Sequence, residues 1–330
     1  MEHVRLGRTG LQVSRICLGT MTFGLQCDEA TSRAILDRAA EGGVTFIDTA
    51  DVYPLGGTLE DVGRTEEIIG RWMEGRREQF VLATKCHFPM GDRPWQRGNS
   101  RRHIFDAVDA SLRRLRTDFI DLYQLHGPDA DTPIDESLDA LDSLVRAGKV
   151  RYIGWSNVLA WQLAHALGRS EVLRLARFDC VQPRYNLLFR EFEREMFPLC
   201  AQEGVGVIPF NPIAGGMLSG KHRRGSEPAE GTRFTLQNVT GLYRGRYWKD
   251  EAFDAVEALQ QVADDAGMAL PTLAVAWVLD NPVITSPIVG ASRPEQLDAT
   301  LAAAEVKLDD SLRTRLDEIT RPFRWGDATR

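Results

Sequence analysis

Residues 119–155 read FIDLYQLHGPDADTPIDESLDALDSLVRAGKVRYIGW. The first segment, FIDLYQ at 119–124, is a strand-like run of β-branched, aromatic and leucine residues. DESLDALDSLVRAGK at 135–149 then spaces its leucines at helical intervals, with acids at its start and a glycine at its end. RYIGW at 151–155 returns to strand composition. A strand, a helix and a second strand in this order form one crossover unit of a parallel sheet.

The same unit recurs along the chain. Further strand candidates are 15–19 (RICLG), 44–48 (VTFID), 80–84 (FVLAT), 179–182, 206–210 (GVIPF) and 284–289 (ITSPIV). Several are continuous apolar runs, as expected of strands covered on both faces. Helical patterns fill the intervals at 28–43, 64–75, 100–116, 161–168, 192–204, 250–267, 271–281, 294–304 and 309–320. Eight β-then-α units without a break predict an α/β fold, a (β/α)8 TIM barrel spanning 1–330 as one domain. Residues 3–14 read as an N-terminal β-hairpin around a GRTG turn. A doubly wound sheet would carry G-x-G-x-x-G after an early strand. Gly204 and Gly206 instead precede a strand. One connection, 221–249, is long. It follows the seventh strand, is rich in Arg, Lys and aromatics, and reads as a lid suited to an anionic or flat ligand.

The 330 residues are 43% hydrophobic and 26% charged, typical of a soluble protein with a large core. A net charge of −7 argues against nucleic acid as a main partner. MEHVRLGRTG has no apolar targeting region, and no apolar run approaches the roughly 18 residues of a membrane span. Cys17, Cys27, Cys86, Cys180 and Cys200 are odd in number and widely spaced, which disfavours a disulfide framework or structural zinc. Reduced cysteines and no export signal point to the cytoplasm.

Four polar residues follow the strands: Asp48 and Tyr53 in TFIDTADVY, Lys85 in FVLATK and His126 in DLYQLH. A free phenol titrates at ~10, and a neighbouring ammonium stabilises its anion and lowers that value. A phenol grouped with an ammonium, a carboxylate and an imidazole is a device for moving a proton to or from an oxygen. Metal binding is not expected, because Asp48, Cys86, His87 and His126 lack H-x-x-x-H or C-x-x-C spacing. Cys86 and His87 are expected to line or flank the pocket.

LGRTGLQVSRICLGTMTFG, FIDTADVY, GRTEEIIGRW, LATK, LRRLRTDFIDLYQLHGPD, GKVRYIGWSN, VQPRYNLL, IPFNPIAGGMLSGK and IVGASRPEQL follow one another over nearly the whole chain. Together they resemble the aldo-keto reductases of the bacterial long-chain type. The resemblance implies a metal-free (β/α)8 enzyme reducing an aldehyde or ketone with a nicotinamide cofactor, usually NADPH. It makes Tyr53 the general acid, Lys85 the group that lowers its pKa, Asp48 the ion-pair partner of Lys85, and His126 the group that orients the carbonyl. It places Thr20 and Met21 near the ribose and nicotinamide, and Ser156, Asn157 and Gln182 on the carboxamide, with Asp48 beside them. Phe210 stacks on the ring. Asn211, Pro212, Ile213, Ala214, Gly215, Gly216 and Lys221 wrap the pyrophosphate, and Arg233 adds an anion contact. Gly290, Ser292, Arg293 and Gln296 form the adenosine end, where Ser292 and Arg293 favour the 2′-phosphate of NADPH over NADH. Ala299 and Thr300 replace the Glu-Asn that often grips adenine in relatives.

Pocket walls are expected from Phe23, Tyr53, Phe88, Trp95, His126 and Trp155, with the 221–249 loop and the C-terminal tail. These aromatics suggest a flat or sugar-like small-molecule carbonyl compound. The segments GLYRGRYW and RPFRWGD are similar to actinobacterial reductases acting on sugar or natural-product ketones. The alternative is a nicotinamide-sensing regulatory subunit with little turnover, as in the potassium-channel β-subunit branch of the family. A dehydrogenase running mainly toward oxidation uses the same residues.

Overall fold

The computed structural model describes residues 1–325. Gly326 and Asp327 of the RPFRWGD segment therefore lie outside the described residues. Strands β1 (His3–Arg5) and β2 (Gln12–Ser14) form the antiparallel hairpin. Eight parallel strands follow: β3 (Cys17–Gly19), β4 (Phe46–Asp48), β5 (Val81–Cys86), β6 (Ile120–Leu125), β7 (Val150–Ser156), β8 (Phe178–Gln182), β9 (Gly206–Val207) and β10 (Ile288–Val289). They pair in chain order, and β10 returns to β3. Between β9 and β10 the ring is joined by two parallel bridges, Val207 to Ile284 and Phe210 to Ile288. Regular pairing there is shorter than the apolar runs 206–210 and 284–289 suggest. Pro209 and Pro287 interrupt both runs, and a residue without an N–H cannot extend a ladder.

Helices cover the outside: α1 (Glu29–Glu41), α2 (Arg64–Met73), α3 (Arg101–Leu115), α4 (Ile134–Arg146), α5 (Ala160–Leu173), α6 (Met196–Glu203), α7 (Thr240–Tyr247), α8 (Asp250–Asp265), α9 (Leu270–Asp280), α10 (Gln296–Leu301) and α11 (Asp310–Thr320). Their starts follow local chemistry. The Asp28 side chain accepts from the Thr31 N–H at 2.8 Å and opens α1; the Ser100 hydroxyl accepts from the His103 N–H at 3.3 Å and opens α3. Among the described residues no single helix is long and apolar enough to cross a membrane.

Strand alternation sorts side chains between two cores. Cys17, Phe46, Ala83, Leu122, Cys180, Ile208 and Ile288 share the inner cluster with Leu6 and Val13 from the hairpin. Leu18, Ile47, Leu82, Tyr123, Ile153, Trp155 and Val181 belong to the cluster shared with the helices. Leu6 and Val13 thus plug the N-terminal end of the barrel. The hairpin seats closely: a Cβ on Gly7, whose φ is +55°, would lie 2.5 Å from the Gly206 nitrogen. With that end filled, the accessible interior is at the C-terminal ends of the strands.

The long 221–249 connection is partly helical. α7 lies within it, and residues 214–219 before it form 3-10 turns. Phe234 is fully buried and anchors the segment with His222 and Trp248, at ring separations of 4.9 Å each. A side chain of that size contributes about 1.5–3 kcal/mol when fully buried.

Candidate active site

One step above the inner apolar layer the same inward positions become polar. Phe46 is followed by Asp48, Ala83 by Lys85, Leu122 by Gln124, Gly154 by Ser156 and Cys180 by Gln182. Register holds them level: Lys85 pairs with Gln124, and Ser156 with Gln182. The Lys85 ammonium lies 2.5 Å from Asp48 Oδ2 and also donates to the Thr49 carbonyl at 2.6 Å. Asp48 Oδ1 accepts from Gln124 Nε2 at 3.0 Å and Gln182 Nε2 at 2.9 Å. The carboxylate is buried, and three donors satisfy it. Burial opposes the charge on Lys85, but Asp48, by charge and hydrogen bond, together with Tyr53 and Cys17 outweighs that cost and holds the ammonium's pKa above its ordinary value.

Tyr53 and His126 close over this pair. Lys85 Nζ is 5.3 Å from the Tyr53 ring centre, and the rings of Tyr53 and His126 stand edge to face at 5.7 Å. Burial pushes the Tyr53 phenol above its usual value, and Lys85 pulls it only part of the way back. The net direction is opposite to the lowering expected from a lysine neighbour alone, because desolvation of the phenolate is the larger effect. The phenol is therefore protonated at neutral pH. Burial, with Lys85 and then His87, holds His126 well below the ordinary imidazole range, so its ring is neutral. The Asn157 side chain donates to the His126 carbonyl at 2.8 Å.

A cavity of about 770 Å³ opens above these groups. Asp48, Tyr53, His126 and Phe88 line it, as do Thr20, Met21, Ser156, Asn157, Gln182 and Phe210. Asn211, Pro212, Ile213, Arg233 and Gly290 continue the lining, and so does Thr300, though not Ala299. Lys85 lies beneath the floor, fully buried. Gln182 offers less to a ligand than its residue type suggests, since its amide N–H groups already bond Asp48 and, at 3.2 Å, Gln124.

Other expected residues stand apart from the cavity walls. Ala214 is buried, while Gly215 and Gly216 have φ of +68° and +102° in the turn after Ile213. Lys221 and Arg293 are exposed, yet Lys221 is held below its ordinary pKa by burial and then by the charges of Arg293 and Arg233. Three cations thus converge at one end of the site. Arg233 donates to Asn211 Oδ1 at 2.8 Å, and the Gln296 side chain accepts from the Ser292 N–H at 2.8 Å. His87 lines the cavity and Cys86 is buried behind it.

Three expected pocket aromatics are elsewhere. Phe23 is fully buried in the outer core. Trp155 lies between inward-facing Gly154 and Ser156, so alternation turns it outward, where it packs on Phe178 at 5.0 Å. Trp95 is on the surface with Arg102 over its ring at 4.7 Å.

Two residues not foreseen matter here. Gln124 was legible, two positions before His126 on the strand face of Leu122. Asp51 is fully buried, and neither carboxyl oxygen has a hydrogen-bond partner. Burial, then neighbouring Glu66, holds its pKa well above the usual carboxylate range, which favours the protonated form. Glu66 is itself buried but paired, accepting from Thr84 Oγ1 at 2.6 Å and Arg114 Nε at 2.7 Å.

Comparison with known proteins agrees with this architecture. The family model described as "Aldo/keto reductase family" matches residues 15–321. An uncharacterized oxidoreductase of Bacillus subtilis (strain 168), YrpG, is 40% identical over 97% of this chain and 96% of its own. A probable voltage-gated potassium channel subunit beta of Arabidopsis thaliana is 37% identical over 93% of this chain and 92% of its own. Versiconal hemiacetal acetate reductase of Aspergillus parasiticus is 34% identical over 93% and 94%. With its closed ring of eight parallel strands and its N-terminal hairpin, the chain belongs to the aldo/keto reductase family, and it is an oxidoreductase acting on carbonyl groups.

Proposed function

We propose that the protein reduces an aldehyde or ketone to an alcohol with NADPH, and that Tyr53 is the general acid. The observation that carries this reading is the Lys85–Asp48 pair, buried at 2.5 Å beneath a protonated phenol and a neutral imidazole on the cavity floor. The site fits a nicotinamide dinucleotide. Asn211 Nδ2 is buried on the cavity wall without a partner, and Lys221, Arg233 and Arg293 converge as an anion would require. Ser156, Asn157 and Gln182 would hold the carboxamide and Phe210 the ring face. Lys221 and Arg233 would hold the phosphates, and Ser292 with Arg293 the 2′-phosphate. When bound, the cofactor supplies the hydride.

The protein's own part is the proton and the charge. The Tyr53 hydroxyl donates a proton to the carbonyl oxygen. Lys85 stabilises the phenolate left behind, and Asp48, fixed by Gln124 and Gln182, holds Lys85 in place. His126, being neutral, hydrogen-bonds the carbonyl oxygen without adding a second cation near Lys85. In the oxidative direction the same phenol, deprotonated, is the base.

Relatives named as channel beta subunits support a second reading, a cofactor-sensing subunit with little turnover. One experiment separates the two. NADPH oxidation is followed with a panel of aldehydes and ketones for the wild type and Tyr53→Phe. Reductase function predicts turnover that falls about 10²–10⁴-fold in the variant while NADPH still binds. Tight cofactor binding without turnover of any carbonyl compound supports the sensor. A near-normal rate for Tyr53→Phe removes the acid assignment.

A further inference from the structure

If the protein is a reductase, the outer half of its cavity selects which carbonyl compounds enter, and the selection rests on that reading. Of the aromatics that suggested a flat or sugar-like compound, Tyr53 and Phe88 line the cavity, but Phe23, Trp95 and Trp155 do not. Its mouth is instead built from aliphatic and phenyl groups. Leu59 on the loop after Tyr53, Phe88 after β5 and Leu242 on α7 all line it, yet they are 44%, 39% and 49% exposed. Three large apolar side chains from three separate segments leave apolar surface in water around one opening. An entering apolar body covers that surface. The segments that carry Leu59 and Leu242 are tied across the mouth, since Asn238 Nδ2 donates to the Gly56 carbonyl at 3.0 Å.

Two polar groups on the same rim already have partners. The Thr58 hydroxyl donates to Asp61 at 3.1 Å, and His87 Nδ1 lies 3.0 Å from Asn99 Oδ1. A polyhydroxylated guest would leave water and bring its hydroxyls against the apolar side chains of Leu59, Phe88 and Leu242, a net cost. We infer that the enzyme takes carbonyl compounds with an extended apolar body, which lies against Leu59, Phe88 and Leu242 while the carbonyl reaches Tyr53. Sugars are poor substrates.

The test uses the intact protein and NADPH with straight-chain aldehydes from propanal to nonanal, beside erythrose as the polyhydroxylated probe. kcat/KM is expected to rise about two- to fourfold per added methylene and to be lowest for erythrose. Leu59→Ser and Leu242→Ser should each compress the nonanal-to-propanal ratio by about threefold or more. Leu173→Ser, also an exposed leucine but on α5 and outside the cavity lining, should not. A flat series, erythrose equal to nonanal, or an unchanged ratio in both rim variants overturns the inference. If either rim variant fails to fold, the wild-type series decides alone. Turnover without size dependence leaves the reductase reading standing and sinks only this inference. No turnover of any carbonyl compound sinks both.

Discussion

Two lysine–aspartate pairs sit on the same barrel, and they separate what burial does from what charge does. Lys85 and Asp48 meet at 2.5 Å, with side chains 0% and 3% exposed. Lys149, just before β7, and Asp109, on α3, meet at 2.6 Å, with side chains 39% and 44% exposed. Chemistry and distance are nearly the same. Water screens the outer pair and offers each partner an equivalent alternative. The inner pair has no such alternative, so its charges persist only because Gln124, Gln182 and the Thr49 carbonyl complete their shells. A fixed, unscreened charge is what the acid chemistry proposed for Tyr53 requires.

The sharpest way to break this contrast is Lys85→Met. It leaves the Asp48 carboxyl buried without its cation, and it removes the nearest charge that opposes desolvation of the Tyr53 phenol. kcat for carbonyl reduction should fall about 10²–10⁴-fold, and thermal unfolding should show a loss of about 3–5 kcal/mol. Steady-state kinetics and calorimetry read the two separately. A variant within tenfold of the wild-type rate would show that the buried cation does not act on the phenol.

Arg293 tests an intermediate case, an exposed cation made specific by convergence with Lys221 and Arg233. Arg293→Ala should weaken NADPH binding about ten- to a hundredfold, as loss of a hydrogen bond to a charged group does, and NADH binding much less. Fluorescence titration with each cofactor measures the difference, which should shrink at high salt. Equal weakening of both cofactors would remove the 2′-phosphate assignment.

Legibility in the sequence divides along the same line. The barrel was legible because eight apolar runs alternate with helical periods. Asp48, Lys85, His126, Ser156 and Gln182 were legible because each sits at or just past a strand end, where the fold puts its chemistry. Trp155 is a pocket residue by type but not by position: period two, counted from Ser156, sends it outward. The same count identifies Gln124. The loop aromatics Phe23 and Trp95 had no such rule, since loop placement depends on distant contacts. α7 was hidden because TGLYRGRY holds two glycines and has poor helical propensity. Its order comes from burying Tyr243 and Tyr247. Asp51 looked like one more polar residue in a loop. Its burial beside Glu66, which pairs with Arg114, is a product of α2 and α3 packing, and nothing local announces it.

Asp51 sharpens the comparison from the opposite side, as a buried carboxyl without a cation of its own. Its folded pKa is raised, so the protonated form is favoured in the folded state and ionisation in the unfolded chain above about pH 4. The stabilisation it provides is complete below that value and is lost as pH climbs toward the folded pKa. Asp51→Asn removes this dependence with almost no change in shape. Thermal melting should show little difference from wild type at pH 4 and a growing advantage for the variant through pH 8. A constant difference across that range would mean that Asp51 is already ionised in the folded protein.

The smallest effect should come from the outer pair. Lys149→Ala removes a 2.6 Å contact as short as many in the interior, yet water replaces the ammonium at Asp109 and the lysine side chain regains its freedom. The expected loss is about 0.2–1 kcal/mol, falling toward zero at high salt, with kcat unchanged because Lys149 precedes β7, at the barrel end opposite the cavity. Denaturant titration at low and high ionic strength resolves it. A loss approaching that of Lys85→Met would overturn the premise that exposure, rather than distance, separates the two pairs.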